Sequence, residues 1–192
     1  YLQARDTSSE LEIAQQIYQT SQNLYGDEDE RTLEALIALG LSYLDDGQSE
    51  MAQGIATSLL SLNWSEENGP AYDLYIDVLC FQADIQHNKE LYPQELVIRK
   101  HVFSLLEELS GSVSSQAIMA RCALAFCLEK MKRYKQALDH YQVVRSYLDS
   151  DEQFATEAEK IGLLVHIGRC YRKLGNFDDA VVLYHWAHKQ AD

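Results

Sequence analysis

Residues 167–187 read IGRCYRKLGNFDDAVVLYHWA. Gly168 precedes Tyr171 by three residues, and Gly175, Phe177, Ala180, Tyr184 and Ala187 follow at helical offsets. Small residues thus face aromatic ones on two short helices, with Gly175-Asn176 as the turn between them. Such a pair cannot cover its own apolar face, so it predicts neighbours of the same kind.

Two further stretches repeat the layout. Residues 39–59, LGLSYLDDGQSEMAQGIATSL, place Gly40, Tyr43, Gly47 and Ala52 at the offsets of Gly168, Tyr171, Gly175 and Ala180. Residues 124–144, LAFCLEKMKRYKQALDHYQVV, place Ala125, Tyr134, Ala137 and Tyr141 at those of Gly168, Phe177, Ala180 and Tyr184. The spacings of 85 and 43 imply a period near 43 and one degenerate copy over residues 70–110. The register of that copy stays open, because Tyr92 and Cys80 suggest different alignments.

These residues resemble the tetratricopeptide repeat, a helix–turn–helix unit of roughly 34 residues that stacks into solenoids. The longer period is similar to that of kinesin light chains and of bacterial regulators of the MalT type. Leu128 and Lys132 depart from the pattern, standing where it has an aromatic residue and the turn glycine. The resemblance implies an all-α right-handed α–α superhelix with repeats near 29–64, 70–110, 114–150 and 157–192, preceded by the second helix of an incomplete repeat at 8–25. The whole reads as a single repeat domain and a fragment of a longer protein.

Apolar periodicity predicts about nine helices, near 8–25, 30–45, 48–62, 70–86, 93–109, 114–131, 134–148, 152–174 and 177–190. Ser8 or Ser9 is the expected cap of the first. Pro93 is expected to open the fifth, where its missing N–H costs nothing. Residues 63–70, NWSEENGP, and 110–115, SGSVSS, read as loops, the second open to proteolysis.

Charge is uneven. Residues 1–96 carry three Lys and Arg against 18 Asp and Glu, and residues 97–192 carry 13 against 12. The acidic half is expected to repel nucleic-acid backbones and anionic membranes and to favour a basic partner. A solvated, solubilising surface is the plainer account of runs such as 27–30, DEDE. Apolar residues make up 46 % of the chain, yet no run reaches the ~18 that a membrane span needs.

The resemblance places a concave groove on the first helices of the repeats. The residues expected to line it include Leu41 in the first unit, Phe126 and Glu129 in the third, and Arg169, Arg172 and Lys173 in the last. The three cations are at i, i+3 and i+4 and share a helix face. They would hold a carboxylate or phosphate of a peptide, or else neutralise the helix end before Gly175. The chaperone-tail clamp of some tetratricopeptide domains uses Lys and Asn where this chain has Ile37, Leu41, Cys122 and Phe126, so that clamp is not expected.

Catalytic chemistry is thin. Cys80, Cys122, Cys127 and Cys170 show no CxxC spacing and read as buried thiols of a reducing, cytoplasmic compartment. His166 with Cys170, and His185 with His188, have no third ligand near in sequence, so no metal or cofactor is expected. His185 and Trp186 are expected in the packing seam of the last helix. Trp64, Tyr72 and Tyr75 would either anchor a partner or fill the irregular unit.

The sequence therefore predicts a non-enzymatic protein–protein interaction module, an adaptor or scaffold that binds a peptide or protein. The other reading is a ligand- or peptide-sensing domain of a bacterial transcriptional or signalling regulator. An exposed helix face near residue 8 also admits a homodimer.

Overall fold

The computed structural model describes residues 7–64, 72–112, 114–150 and 156–191. Among these residues there are nine α-helices and no strand: α1 Thr7–Tyr25, α2 Glu30–Asp45, α3 Ser49–Leu60, α4 Tyr72–Asn88, α5 Tyr92–Ser110, α6 Ser115–Lys130, α7 Tyr134–Ser150, α8 Glu157–Leu174 and α9 Phe177–Ala191. None of them is long and apolar enough to cross a membrane. The chain forms two compact units, Tyr1–Ile98 and Arg99–Asp192, with α5 contributing to both.

The even-numbered helices from α2 to α8 end in the same way. The amide of Gln48, Leu91, Arg133 or Asn176 donates to the carbonyl of Tyr43, Gln86, Leu128 or Tyr171 at 2.8–2.9 Å. One residue earlier, Gly47, Glu90, Lys132 and Gly175 donate to Leu44, His87, Glu129 and Arg172. Both bonds define a Schellman stop, which needs a left-handed residue. All four have positive φ, at 78°, 57°, 61° and 86°. The stops recur at intervals of 43, 42 and 43 residues, which fixes the register of the degenerate copy. Its turn residue is Glu90, and its counterpart of Ala52, Ala137 and Ala180 is Glu95.

The first unit is built around α2, α3 and α4. Leu33, Ile37, Leu44, Ala52, Ala56, Leu59, Leu74, Val78, Phe81 and Ile85 form its core. Gly40 sits where a Cβ would overlap the ring of Phe81. In the last repeat the equivalent Gly168 faces Tyr184, where a Cβ would come within 2.8 Å of the ring. The first repeat has Ala56 at the position of Tyr184, so α4 supplies the covering ring that α3 lacks. Glu95, 1 % exposed, is tied to His87 Nδ1 at 2.9 Å, and so satisfies a carboxylate standing in an alanine position. Trp64 packs against the same core, donates Nε1–H to the Leu59 carbonyl at 2.9 Å and lies 5.6 Å from Tyr75. These two aromatics therefore fill the irregular repeat.

In the second unit α6, α7, α8 and α9 pack as successive antiparallel neighbours around Ala125, Leu128, Tyr141, Leu164, Ile167 and Cys170, all buried. Ser114 caps α6 by accepting from the Ala117 amide. Thr156 and Glu159 form a capping box on α8: the Thr156 hydroxyl accepts from the Glu159 amide and the Glu159 carboxylate accepts from the Thr156 amide.

Several boundaries differ from expectation. Ser8 and Ser9 lie inside α1, which opens at Thr7. The helix expected from 152 opens at Glu157, because the capping box fixes its start; residues 151–155 lie outside the described residues. Ser110 and Ser115 belong to helices, so the link between α5 and α6 is shorter than the expected loop. Most of the other loop, residues 65–71, lies outside the described residues. Trp186 is 47 % exposed and His185 is exposed, so neither is in the seam of α9; Leu183 and Ala187 take that face.

Candidate functional site

Helices α6 and α8 run side by side in the same direction, and one face of each looks onto the other. At the end away from the stops, Ile118, Met119, Cys122 and Ala123 of α6 and Glu159, Gly162, Leu163 and His166 of α8 enclose a cavity of about 410 Å³, backed by Val144 and Leu148 of α7. Met119 stands 64 % exposed beside it. The cavity exists partly because Ala123 and Gly162 are small; a Cβ on Gly162 would meet nothing within 4 Å.

Further along the same two helices lies a charged cluster. Glu129, 6 % exposed, accepts hydrogen bonds from Arg169 at 2.8 Å and from the Tyr141 hydroxyl at 3.1 Å, and its other contact is His166 Nδ1 at 2.8 Å. Burial alone would raise the Glu129 carboxyl pKa, but the bonds from His166 and Arg169 outweigh it and hold the pKa below the ordinary carboxylate value. The Arg169 guanidinium is correspondingly held more basic by Glu129. Burial, then the Glu129 charge, raises the Tyr141 phenol. The ring of Phe126 meets His166 edge-on at 5.3 Å, and Lys130 Nζ lies 5.0 Å from the Phe126 centroid.

Of the residues expected to line a groove, Phe126, Glu129 and Arg169 thus come together. They do so as a bonded set that joins α6 to α7 and α8, with Arg169 half spent on Glu129. Arg172 and Lys173 are exposed in the last turn of α8, just before the Gly175 stop. Leu41, 39 % exposed, belongs to the other unit, where it lines a separate cleft between α2 and α4.

The cluster includes two residues that sequence reasoning did not assign to it. In the sequence His166 pairs only with Cys170, at i, i+4, and Tyr141 reads as a packing residue. Their separations of 37 and 12 residues from Glu129 are invisible to local patterns, although the repeat period brings position 166 close to 129. Cys127 and Cys170 are fully buried. Burial pushes the Cys170 thiol up to about 12 and raises that of Cys122, so both stay protonated and poorly nucleophilic at neutral pH. Among the described residues no three His, Cys, Asp or Glu side chains converge as a metal site.

Residues 163–185, which span the end of α8, its stop and the start of α9, match the tetratricopeptide repeat family model. No curated protein matches the chain in sequence. Solved structures match its fold. A putative kinesin light chain from Podospora anserina, with nearly identical TPR-like repeats, aligns at a TM-score of 0.71 and 12 % identity over 96 % of this chain and 86 % of that one. BtubC (BKLC) from P. vanneervenii aligns at 0.64 and 11 % identity over 98 % and 92 %. A Rap protein complexed with competence and sporulation factor aligns at 0.72 and 16 % identity, covering 96 % of this chain and 50 % of that one. The fold is all-α and of the tetratricopeptide-repeat type, and residues 163–185 carry the match to the repeat itself.

Proposed function

We propose that the chain is a non-catalytic protein–protein interaction module, an adaptor or scaffold, that holds a peptide segment between α6 and α8. The observation that carries this is the open, mainly apolar cavity beside Met119, with Phe126 and Arg169 further along the same two helices and Arg172 and Lys173 exposed at the end of α8. An apolar side chain would enter the cavity, and an acidic group further along the peptide would meet the basic end of α8. Protonated, buried thiols suit a reducing, cytoplasmic setting.

Gly162→Leu tests this. Gly162 lines the cavity and a Cβ there meets nothing within 4 Å, so a longer side chain has room to occupy it, and loss of a helical glycine favours folding by about 1 kcal/mol. A random peptide library selected on the native protein should yield ligands whose Kd rises about tenfold or more in this variant, the loss of one filled apolar pocket. Arg169→Ala with Phe126→Ala should weaken them too. Selected ligands that bind Gly162→Leu undiminished would place the site elsewhere and sink the reading.

The likeness to the Rap protein with its bound factor favours a second reading, a peptide-sensing domain of a bacterial regulator. An attached DNA-binding or signalling domain whose output changes when the selected peptide is added would decide for it. An output that stays constant at saturating peptide leaves the scaffold.

A further inference from the structure

The cleft between α2 and α4 in the first unit differs in character from the one between α6 and α8. Its floor is Ile37, Leu74 and Phe81, all buried, with Leu41 half exposed at its edge. Its walls carry Glu34 from α2 and Asp77 and Asp84 from α4, around a cavity of about 290 Å³. Asp73 lies one turn before Asp77 on α4.

The acids crowd one another. Burial, and then the charges of Asp73 and Glu34, push the Asp77 carboxyl pKa up. Asp84 has an interaction of its own, so the crowded charge is that of Glu34, Asp73 and Asp77. Cations within the unit are committed elsewhere. Among its described residues the Lys and Arg side chains are Arg31 and Lys89. Arg31 is paired with Asp29 at 2.9 Å and stacked 3.5 Å over the Tyr25 ring. Lys89 pairs with Glu50 at 3.5 Å.

We propose that this cleft receives an arginine or lysine from a basic segment of a partner protein, its aliphatic stem on Ile37, Leu41 and Phe81 and its cation between Glu34 and Asp77. Long cationic side chains combine an apolar stem with a charged tip, which is the pairing of surfaces the cleft offers. A point ion fits less well, because among the described residues no three acidic, His or Cys groups converge on one spot. The first 96 residues, with 18 acidic side chains against three Lys and Arg, would also steer a basic segment towards this face. The proposal rests on the reading of the chain as a protein-binding module, but on a cleft separate from that of α6 and α8.

The probe is a fluorescein-labelled peptide with three arginines spaced by alanine and leucine, compared by anisotropy with the same peptide carrying citrulline for each arginine. Binding should saturate for the arginine form only. Glu34→Gln with Asp77→Asn should raise its Kd about tenfold, the loss of two charge-assisted contacts. Glu10→Gln with Glu28→Gln removes the same charge from the exposed surface and should change Kd less than about twofold. Thermal melting should show that the cleft pair folds at least as stably as the native chain, since it relieves like-charge repulsion.

Equal effects of the two pairs would mean diffuse attraction and overturn the proposal. So would equal binding of the citrulline peptide, or the absence of saturable binding. A dimer seen by light scattering that the cleft pair dissociates would make a second copy the occupant, with the same consequence. Gly162→Leu should leave the arginine peptide's affinity unchanged, so failure in this cleft and failure in the α6–α8 cavity are read separately.

Discussion

Phe81 lies against the bare Cα of Gly40, in the place that Tyr184 takes over Gly168. The two contacts close the same joint from different helices, and they differ in slack: Phe81 is 1 % exposed, whereas Tyr184 is partly exposed.

Gly40→Ala is therefore expected to destabilise the chain by about 1–3 kcal/mol, because overpacking against an immobile ring exceeds the ~1 kcal/mol gained in helix propensity. Gly168→Ala should cost less, since the Tyr184 ring can shift. Urea denaturation compares them. Phe81→Leu, which shortens the covering side chain, should make Gly40→Ala less costly; additive losses would show that the ring is not the cause.

Glu129 is buried and gathers three partners, so Glu129→Gln should cost about 2–4 kcal/mol at neutral pH, through loss of its charge-assisted bonds. The carboxyl's folded-state pKa is depressed. Its stabilisation is thus fully present above the ordinary carboxylate pKa and is lost as pH falls through the lower, folded value. Melting curves taken from pH 7 down to about 3 should show a smaller acid loss in Glu129→Gln than in the native chain. Parallel curves would assign the acid loss to other groups.

Asp77 behaves with the opposite sign. Its raised pKa means that the folded state holds its proton more tightly than the unfolded one, so ionisation opposes folding above that pKa. Asp77→Asn should raise the melting temperature at pH 7, and the gain should vanish as pH falls below the ordinary carboxylate value. A lowered melting temperature at pH 7 would contradict this.

Lys132 and Glu90 hold left-handed conformations that disfavour side chains with a Cβ. Lys132→Gly should stabilise the chain by about 0.5–1 kcal/mol, the relief of strain less the added freedom of the unfolded chain. The same change at exposed Lys130, the last residue of α6, has no left-handed strain to relieve and should instead destabilise slightly. Equal signs for the two would remove the distinction.

Thiol chemistry gives a separate check. Cys127 and Cys170 are fully buried, and the Cys170 thiol titrates at about 12. At pH 8 a disulfide reagent should modify neither before unfolding, whereas in urea all four cysteines should react. Prompt native labelling of Cys170, read by mass spectrometry, would be incompatible with this packing.

Much of the fold was legible in the sequence. The apolar stripe from Leu33 to Leu44 placed α2 at its observed bounds, and Gly175-Asn176 marked the α8–α9 turn. The register of the second repeat was not legible, because each of its landmarks is disguised: Glu90 stands for the turn glycine, Glu95 for the small residue, and the covering ring comes from Phe81. The capping box at Thr156 and Glu159 is a local signal for the start of α8 that apolar periodicity alone does not carry. At the site, the resemblance placed Phe126, Glu129 and Arg169 on the first helices of their repeats, lining a groove. It did not show that Glu129 and Arg169 would bond to each other, because contacts between repeats depend on how helices dock, which local periodicity does not contain.

The Schellman stops have a consequence for how such a chain diversifies. Directly before them, at one equivalent rung of the four repeats, stand Leu44, His87, Glu129 and Arg172: a hydrocarbon, an imidazole, an acid and a base on the same backbone scaffold. The same main-chain bonds frame each rung with all four of these side chains. What limits change at a rung is then the side chain's own partners, as at Glu129, and not the rack that carries it.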